Sequence, residues 1–477
     1  MTHALWTLDA MAAAMRAERA GPLPQGVPGI SIDSRTIGAG EAFFAIRGDA
    51  HDGHDFVAAA LQAGAGVAVV AAERRAAMPP GAPLLVVADV LAGLADLARA
   101  ARVRACARIL AVTGSVGKTS TKEALRLALA PAGETHASPA SFNNQWGVPL
   151  SLARLPDSAR YAVFEIGMNH AGEITPLAKL VRPHVAIVTA VEPVHLEFFA
   201  SVEAIADAKA EIFSGVEPGG AAVVNRDNAH FARLARHARG AGLRVVSFGE
   251  HADADARLLG CELQPEGSVV EADILGARLS YRLGAPGRHL VLNSLAALAA
   301  TQLAGADLAR AAEALAEFRP AAGRGTRVTL HLGDGEALLI DESYNANPTS
   351  MRAALALLAQ APVGPHGRRI AVLGDMLELG GAGEAFHRAL APVIEANAVD
   401  LVFCAGPLMR ALWEALPSPR RGGYADGAAA LEARVVGAIR VGDAVMVKGS
   451  AGSRMGPIVE ALVARYSREV GRRKVRA

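Results

Sequence analysis

Short apolar runs recur along the chain, separated by stretches in which small and charged residues follow helical spacing. Near the amino end, Ala42-Phe43-Phe44-Ala45-Ile46, Val67-Ala68-Val69-Val70 and Leu84-Leu85-Val86-Val87 predict strands between Ala-rich helices. From residue 108 to about 319, the runs 109–112, 162–166, 186–189 and 222–224 alternate with helical patterns. That alternation predicts βαβ units around a mostly parallel sheet. The segment Pro320-Ala321-Ala322-Gly323-Arg324-Gly325 is turn-forming and interrupts it. Beyond the turn, strands are expected near 337–341, 370–374, 400–404 and 444–448, with helices between them. The chain therefore reads as an α/β protein of three domains, 1–103, 104–325 and 326–477, the last a smaller Rossmann-like unit.

Composition narrows the function. A formal charge of +1 over 477 residues gives no chain-wide electrostatic footprint for nucleic acid. Cys106, Cys261 and Cys404 make no metal-ligand spacing, so neither a zinc module nor a disulfide scaffold is expected, and a reducing cytoplasm is the natural compartment. The start, Met1-Thr2-His3-Ala4-Leu5-Trp6, lacks the basic and apolar regions of a signal peptide. The richest apolar run, residues 57–72, is short, contains Gln62 and is broken by glycines, which argues against membrane insertion. The last thirteen residues carry six basic groups and one acid, which predicts a solvated helix end and tail. One imbalance directs attention to single residues: six lysines (Lys118, Lys122, Lys179, Lys209, Lys448, Lys474) stand against 42 arginines.

The strand at 109–112 runs into Thr113-Gly114-Ser115-Val116-Gly117-Lys118-Thr119-Ser120, followed by a helix pattern over 121–129. Strand, Gly-rich loop and helix in that order suit a triphosphate. Gly114 and Gly117 let backbone N–H groups, that of Ser115 among them, curl around phosphate oxygens, and the helix start adds positive potential. Lys118 neutralises charge, and the Thr119 or Ser120 hydroxyl can ligate Mg²⁺. A standard phosphate loop has a further Gly six places before the lysine; Val112 stands there, so this is a shorter G-x-x-G-K-T variant.

This loop and its surroundings resemble the Mur ligases. Ser31-Ile32-Asp33-Ser34-Arg35, with Phe43-Phe44-Ala45-Ile46-Arg47-Gly48 and Asp52-Gly53-His54, is similar to the family's UDP-binding first domain. Four further segments resemble the member that adds a dipeptide: 143–149 (beginning Asn143-Asn144), 165–174, 343–348 (Ser-Tyr-Asn-Ala-Asn-Pro) and 374–380. The resemblance implies an N-terminal UDP-substrate domain, a central ATPase domain and a C-terminal ligase domain. It further implies ATP-driven amide formation between UDP-N-acetylmuramoyl-tripeptide and D-alanyl-D-alanine through an acyl phosphate. A monomeric cytoplasmic enzyme using ATP and two Mg²⁺ ions is expected.

Residue roles follow from the same resemblance. Glu165, at a predicted strand end, with Thr119 suits a hard cation. His195 is implied at a second Mg²⁺ and Lys209 as an Mg²⁺ ligand, because the matching lysine in Mur ligases is often carbamylated, which converts a cation into a carboxylate-like ligand. Asn293, in His289-Leu290-Val291-Leu292-Asn293, is implied to read the purine, with a helix cap as its structural alternative. Arg324 is implied to reach ATP phosphate from the hinge, Glu342 to touch the ribose, and Asn345 to line the ATP site. Lys448 is implied to point at the reacting phosphate. Ser34, Arg35, Phe43, Asn143, Asn144, Asn347 and Ser450 are the implied substrate contacts. Lys122, Lys179 and Lys474 receive no role. A kinase or a nucleotide-dependent switch would share the phosphate loop but would leave the UDP-like first segment and 343–348 without a purpose; a sibling ligase adding one amino acid is the nearer rival.

Overall fold

The computed structural model describes residues 4–48, 51–333 and 335–467; residues 1–3 of the leader reading, and most of the basic tail with Lys474, lie outside them. Three large sheets follow one another along the chain, besides a two-stranded antiparallel pairing of Trp6–Thr7 with Gly26–Val27. The first has the order Glu18–Ala20, Leu84–Val87, Val67–Ala71, Ala42–Phe44, Ile30–Ser31, parallel except for its first strand. Its inner strands are wholly buried, which is why they read as unbroken apolar runs rather than alternating ones. The helix Val90–Arg104, capped by the Asp89 carboxylate on the Ala92 N–H, leads into the central unit. There Trp6 donates its indole N–H to the Ala153 carbonyl at 2.8 Å, and the Arg104 guanidinium lies 3.6 Å over the Trp6 ring.

The central sheet has nine strands, in the order Ala277–Leu283, Gly267–Ile274, Ala256–Gln264, Arg244–Gly249, Ala221–Asn225, Val185–Val188, Arg108–Thr113, Tyr161–Glu165, Thr135–Ala137. The first three form an antiparallel meander and the rest are parallel. In the parallel part, Glu165 pairs with Val112 and Val188 with Thr113, so the loops that leave these carboxyl ends converge on one edge. An open parallel sheet places its ligand site there.

The third sheet has the order Thr326–Leu332, Gly335–Glu342, Ala444–Lys448, Arg369–Gly374, Leu401–Ala405, Arg421–Ala425, with only the first strand antiparallel. Glu342 and Lys448 are direct cross-strand partners, so both are delivered to the carboxyl edge together. Among the described residues, no helix is long and apolar enough to cross a membrane.

Candidate active site

The phosphate loop follows Arg108–Thr113 and opens the helix Lys118–Leu129, which starts three residues earlier than its periodicity predicts because Gly117 is its N-cap. Gly117 has φ +83°, and a Cβ there would sit 2.6 Å from Asn293 Nδ2; a Cβ on Gly114 would meet Thr189 Oγ1 at 2.0 Å. Both glycines are therefore required by close approach as well as by backbone conformation. The loop is fastened to the neighbouring strand end: Thr189 Oγ1 donates to the Val116 carbonyl at 2.5 Å, and the Glu192 N–H donates to Ser115 Oγ at 2.9 Å. Lys118 Nζ donates to the Gly114 carbonyl at 2.7 Å. Ser120 Oγ donates to the Gly117 carbonyl, closing the first turn.

Thr119 Oγ1 donates to Glu165 Oε2 at 2.9 Å, and Asn143 Nδ2 donates to Glu165 Oε1 at 2.7 Å. Across the cleft, Lys448 Nζ lies 3.1 Å from Glu342 Oε2 and donates to the Asn345 carbonyl at 2.9 Å. Arg324 bridges the two sides: one of its terminal nitrogens donates to Ser141 Oγ at 3.2 Å, and its guanidinium stacks 4.1 Å over the Tyr344 ring. These groups, with Ser115, Gly117, Ser120, His195, Asn293 and Asn347, line one cavity of about 430 Å³ between the central and C-terminal sheets. His195, at φ +56°, places Nδ1 2.5 Å from Glu378 Oε2 of the C-terminal unit.

Some expected contacts lie elsewhere. Phe43 is 1 % exposed within the core of the first sheet, packed beside Val57 and Val70; it is a core residue and cannot touch a ligand there. Arg35 is exposed and forms a two-point pair with Asp33 beside Ser34, away from the cleft. Asn144 Oδ1 accepts the Gly147 N–H, which makes it a loop-shaping residue outside the cleft lining. Asn347 caps the helix Pro348–Ala359 in a reciprocal pair with Ser350 while also facing the cleft. Ser450 Oγ donates to the Ala346 carbonyl and accepts the Leu377 N–H, beside an adjoining chamber of about 290 Å³. Asn293 lies inside the helix Arg288–Leu303, whose N-cap is Gly287, so a capping role for it is excluded.

Comparison with known proteins decides the family. The chain is 34% identical over 435 residues to UDP-N-acetylmuramoyl-tripeptide--D-alanyl-D-alanine ligase of Escherichia coli, covering 91% of this chain and 93% of that protein. It belongs to the Mur ligase family. The family's catalytic-domain, middle-domain and glutamate-ligase-domain models match residues 27–108, 112–301 and 323–451 in turn. A Mycobacterium tuberculosis protein of the same name is 35% identical, over 91% of this chain and 92% of its own length. Among solved structures, MurF from Acinetobacter baumannii has a TM-score of 0.82 at 30% identity, covering 96% of this chain and 99% of that one. MurF from Thermotoga maritima, solved in complex with ADP, has a TM-score of 0.73 at 25% identity, covering 92% of this chain and 98% of that one.

In this Mur ligase the lysines face opposing demands. Loss of hydration in the crowded cleft holds Lys118 below the usual lysine range, against the pull of Glu165, and nearby Arg324 adds to the lowering. Lys209, on the helix Val202–Ala210 capped by Ser201, is 2 % exposed and has its pKa pushed well below the usual lysine value, by burial first and then by the charge of Lys118. It does not line the cleft cavity. Lys179 is exposed. Lys122 is completely buried, which its sequence position gave no reason to expect. Sequence reasoning also passed over Ser141, Thr189, Glu192, Tyr344 and Glu378. Of these, Tyr344 and Glu378 lie within segments that carried the family resemblance, and Glu192 lies three residues before His195.

Proposed function

We propose that this chain joins the free amine of D-alanyl-D-alanine to the terminal carboxylate of UDP-N-acetylmuramoyl-tripeptide, at the expense of ATP, in cytoplasmic peptidoglycan precursor synthesis. The observation that carries the reading is the single cleft in which a phosphate loop faces Glu342, Asn345 and Lys448 from a second sheet. The names of the relatives supply the substrates, and similarity drops to a TM-score of 0.51 for the ligase that adds 2,6-diaminopimelate.

In this reading the tripeptide carboxylate attacks the γ-phosphorus, giving an acyl phosphate and ADP. The dipeptide amine then attacks the acyl carbon, a tetrahedral intermediate forms, and phosphate leaves as the amine loses its proton. The chain's task is control of charge, because carboxylate and triphosphate repel one another. Lys118 and the loop N–H groups take the phosphates, Arg324 approaches from the hinge at 323–325, and Lys448 approaches from the opposite sheet. Glu342 and Asn345 suit the ribose side, and Asn293, beside Gly117, suits the base. Domain closure excludes the water that would hydrolyse the acyl phosphate. The enzyme acts as a monomer in this scheme, with the uridine moiety held by the first domain around Ser34 and Arg35.

The oxygen donors of Thr119 and Glu165 fit Mg²⁺, a hard ion that favours carboxylate and hydroxyl ligands. When bound there, Mg²⁺ neutralises phosphate charge. Glu378 engages His195 Nδ1, which leaves Nε2 as the ring nitrogen able to ligate a second ion. Lys209 fits the partner role only as a carbamate, and burial, which lowers its pKa, favours the neutral amine that CO₂ requires. Phosphate release measured with each substrate alone and with both tests the whole scheme. Release that requires both is expected. A stable phosphorylated product, or turnover with a free diamino acid in place of the dipeptide, overturns it.

A further inference from the structure

Lys122 sits one turn beyond Lys118 on the phosphate-loop helix and has no exposed surface. An ammonium group is rarely buried unless each of its protons is received. Here all three are: Nζ donates to the Ser138 carbonyl at 2.7 Å and the Ala140 carbonyl at 2.5 Å, and lies 3.1 Å from Glu123 Oε1. The two carbonyls belong to the loop that leaves the edge strand Thr135–Ala137. That loop turns sharply at Ala140, which holds a left-handed φ of +46°. A non-glycine residue rarely adopts that conformation unless its surroundings impose it. The next residues then reach the cleft: Ser141 Oγ meets Thr119 Oγ1 at 3.3 Å and receives Arg324, and Asn143 holds Glu165.

We propose that Lys122 is a positioning residue for phosphoryl transfer: it ties the 138–143 loop to the phosphate-loop helix, so that Thr119, Glu165 and Arg324 share one fixed geometry. The inference rests on the ATP-dependent ligase reading, because it assigns those three groups to nucleotide and Mg²⁺. Arginine would not serve in this place. Its planar fork is too large for a fully enclosed site, whereas a compact ammonium can turn its three protons toward three separate oxygens. The lysine is thus retained for its shape, in a chain that otherwise favours arginine 42 to six.

The test compares Lys122→Met, Lys122→Gln, Ser141→Ala and the Lys122→Met/Ser141→Ala double variant with the wild-type full chain. For Lys122→Met, the half-saturating Mg²⁺ concentration and the KM for ATP are expected to rise about 10-fold or more, as when a group that orients a metal ligand is removed. The KM for the uridine substrate should change less than these constants, since the hydrogen bonds of the 138–143 loop run to Thr119, Glu165 and Arg324. Ser141→Ala should move the same constants less, and the double variant should be no worse than Lys122→Met alone, because the displaced loop has already withdrawn the hydroxyl. Hydrogen exchange of the 138–143 amides, read by mass spectrometry without nucleotide, should speed up in Lys122→Met and not in Ser141→Ala. If Lys122→Met does not fold, Lys122→Gln, which keeps one amide donor, carries the same comparison. Wild-type Mg²⁺ and ATP constants in the folded Lys122 variant, unchanged exchange, or multiplicative effects in the double variant would overturn the proposal. Failure of the underlying reading looks different: the wild-type chain itself would not ligate.

Discussion

Lys209 concentrates the tension between stability and chemistry at the scale of one residue. It is 2 % exposed, its pKa is well below the usual value, and Lys118 repels it. The unfolded chain therefore takes up a proton that the folded chain resists, so stability rises with pH between the depressed pKa and the ordinary lysine range, and the cost is fully present below that window. Lys209→Met should melt at or above the wild-type temperature at neutral pH in CO₂-free buffer. The difference should close as pH climbs through the ordinary lysine range, and ligation should be lost throughout. Melting curves across pH, with and without bicarbonate, check this; a variant that melts lower at neutral pH contradicts it. Lys118→Arg should lower ligation about 100-fold or more without unfolding the protein, and Lys209→Arg should do so with some loss of stability because its site is enclosed, since neither phosphate approach nor carbamate formation is open to a guanidinium in the same way. Steady-state rates beside circular dichroism separate the two effects. The residues behind these predictions were legible from sequence for a local reason. Gly114, Gly117, Lys118 and Thr119 lie on one loop whose chemistry is written in consecutive positions. Ser141, Thr189 and Glu192 were not, because each acts on that loop from 22 to 77 positions away. Phe43 was misplaced because an aromatic beside a polar motif looks the same in sequence whether it faces ligand or core.

At the scale of elements, registers explain why distant residues meet. Glu342 and Lys448 are 106 positions apart, yet they are paired neighbours on parallel strands, so the ion pair follows from the sheet order. The same edge carries the helix Pro348–Ala359, whose capping box joins Asn347 and Ser350. Asn347→Ala should cost about 1 kcal/mol of stability through the lost cap. Denaturant unfolding gives that number, and nucleotide titration of the same variant reports separately on its place in the cleft lining. The parallel strands were legible as unbroken apolar runs. The meander over 256–283 was not, because its outer strand Ala277–Leu283 alternates exposed Arg278, Ser280 and Arg282 with inward residues, a pattern short enough to pass for irregular chain. Gly117→Ala tests how tightly two elements meet: its methyl would strike Asn293 at 2.6 Å in a left-handed backbone. The KM for ATP should rise at least about 10-fold, from strain of about 1–2 kcal/mol at that φ alone. A wild-type KM would show that the loop relaxes without consequence.

At the scale of the whole molecule, the central and C-terminal units are tied by few but specific contacts. Glu192 Oε2 accepts the Thr349 hydroxyl at 2.7 Å, Glu378 holds His195, and Arg324 reaches Ser141. Thr349→Val removes one of these from the C-terminal side only. Its kcat should fall about 10-fold, the size expected for one hydrogen bond to a charged acceptor, while ADP binding to the central unit stays near wild type. Equal losses in both would place Thr349 in nucleotide binding instead. The same contact has a pharmacological consequence. Glu192 and Thr349 face one another across the lining of the shared cavity, and the Glu192 backbone is bound to Ser115 of the phosphate loop. A small molecule wedged at that bond would hold two sheets apart without resembling a purine. Its potency would fall as ATP is added, because the bond and the phosphate loop share one cavity lining, and its selectivity would come from a carboxylate and a hydroxyl presented together.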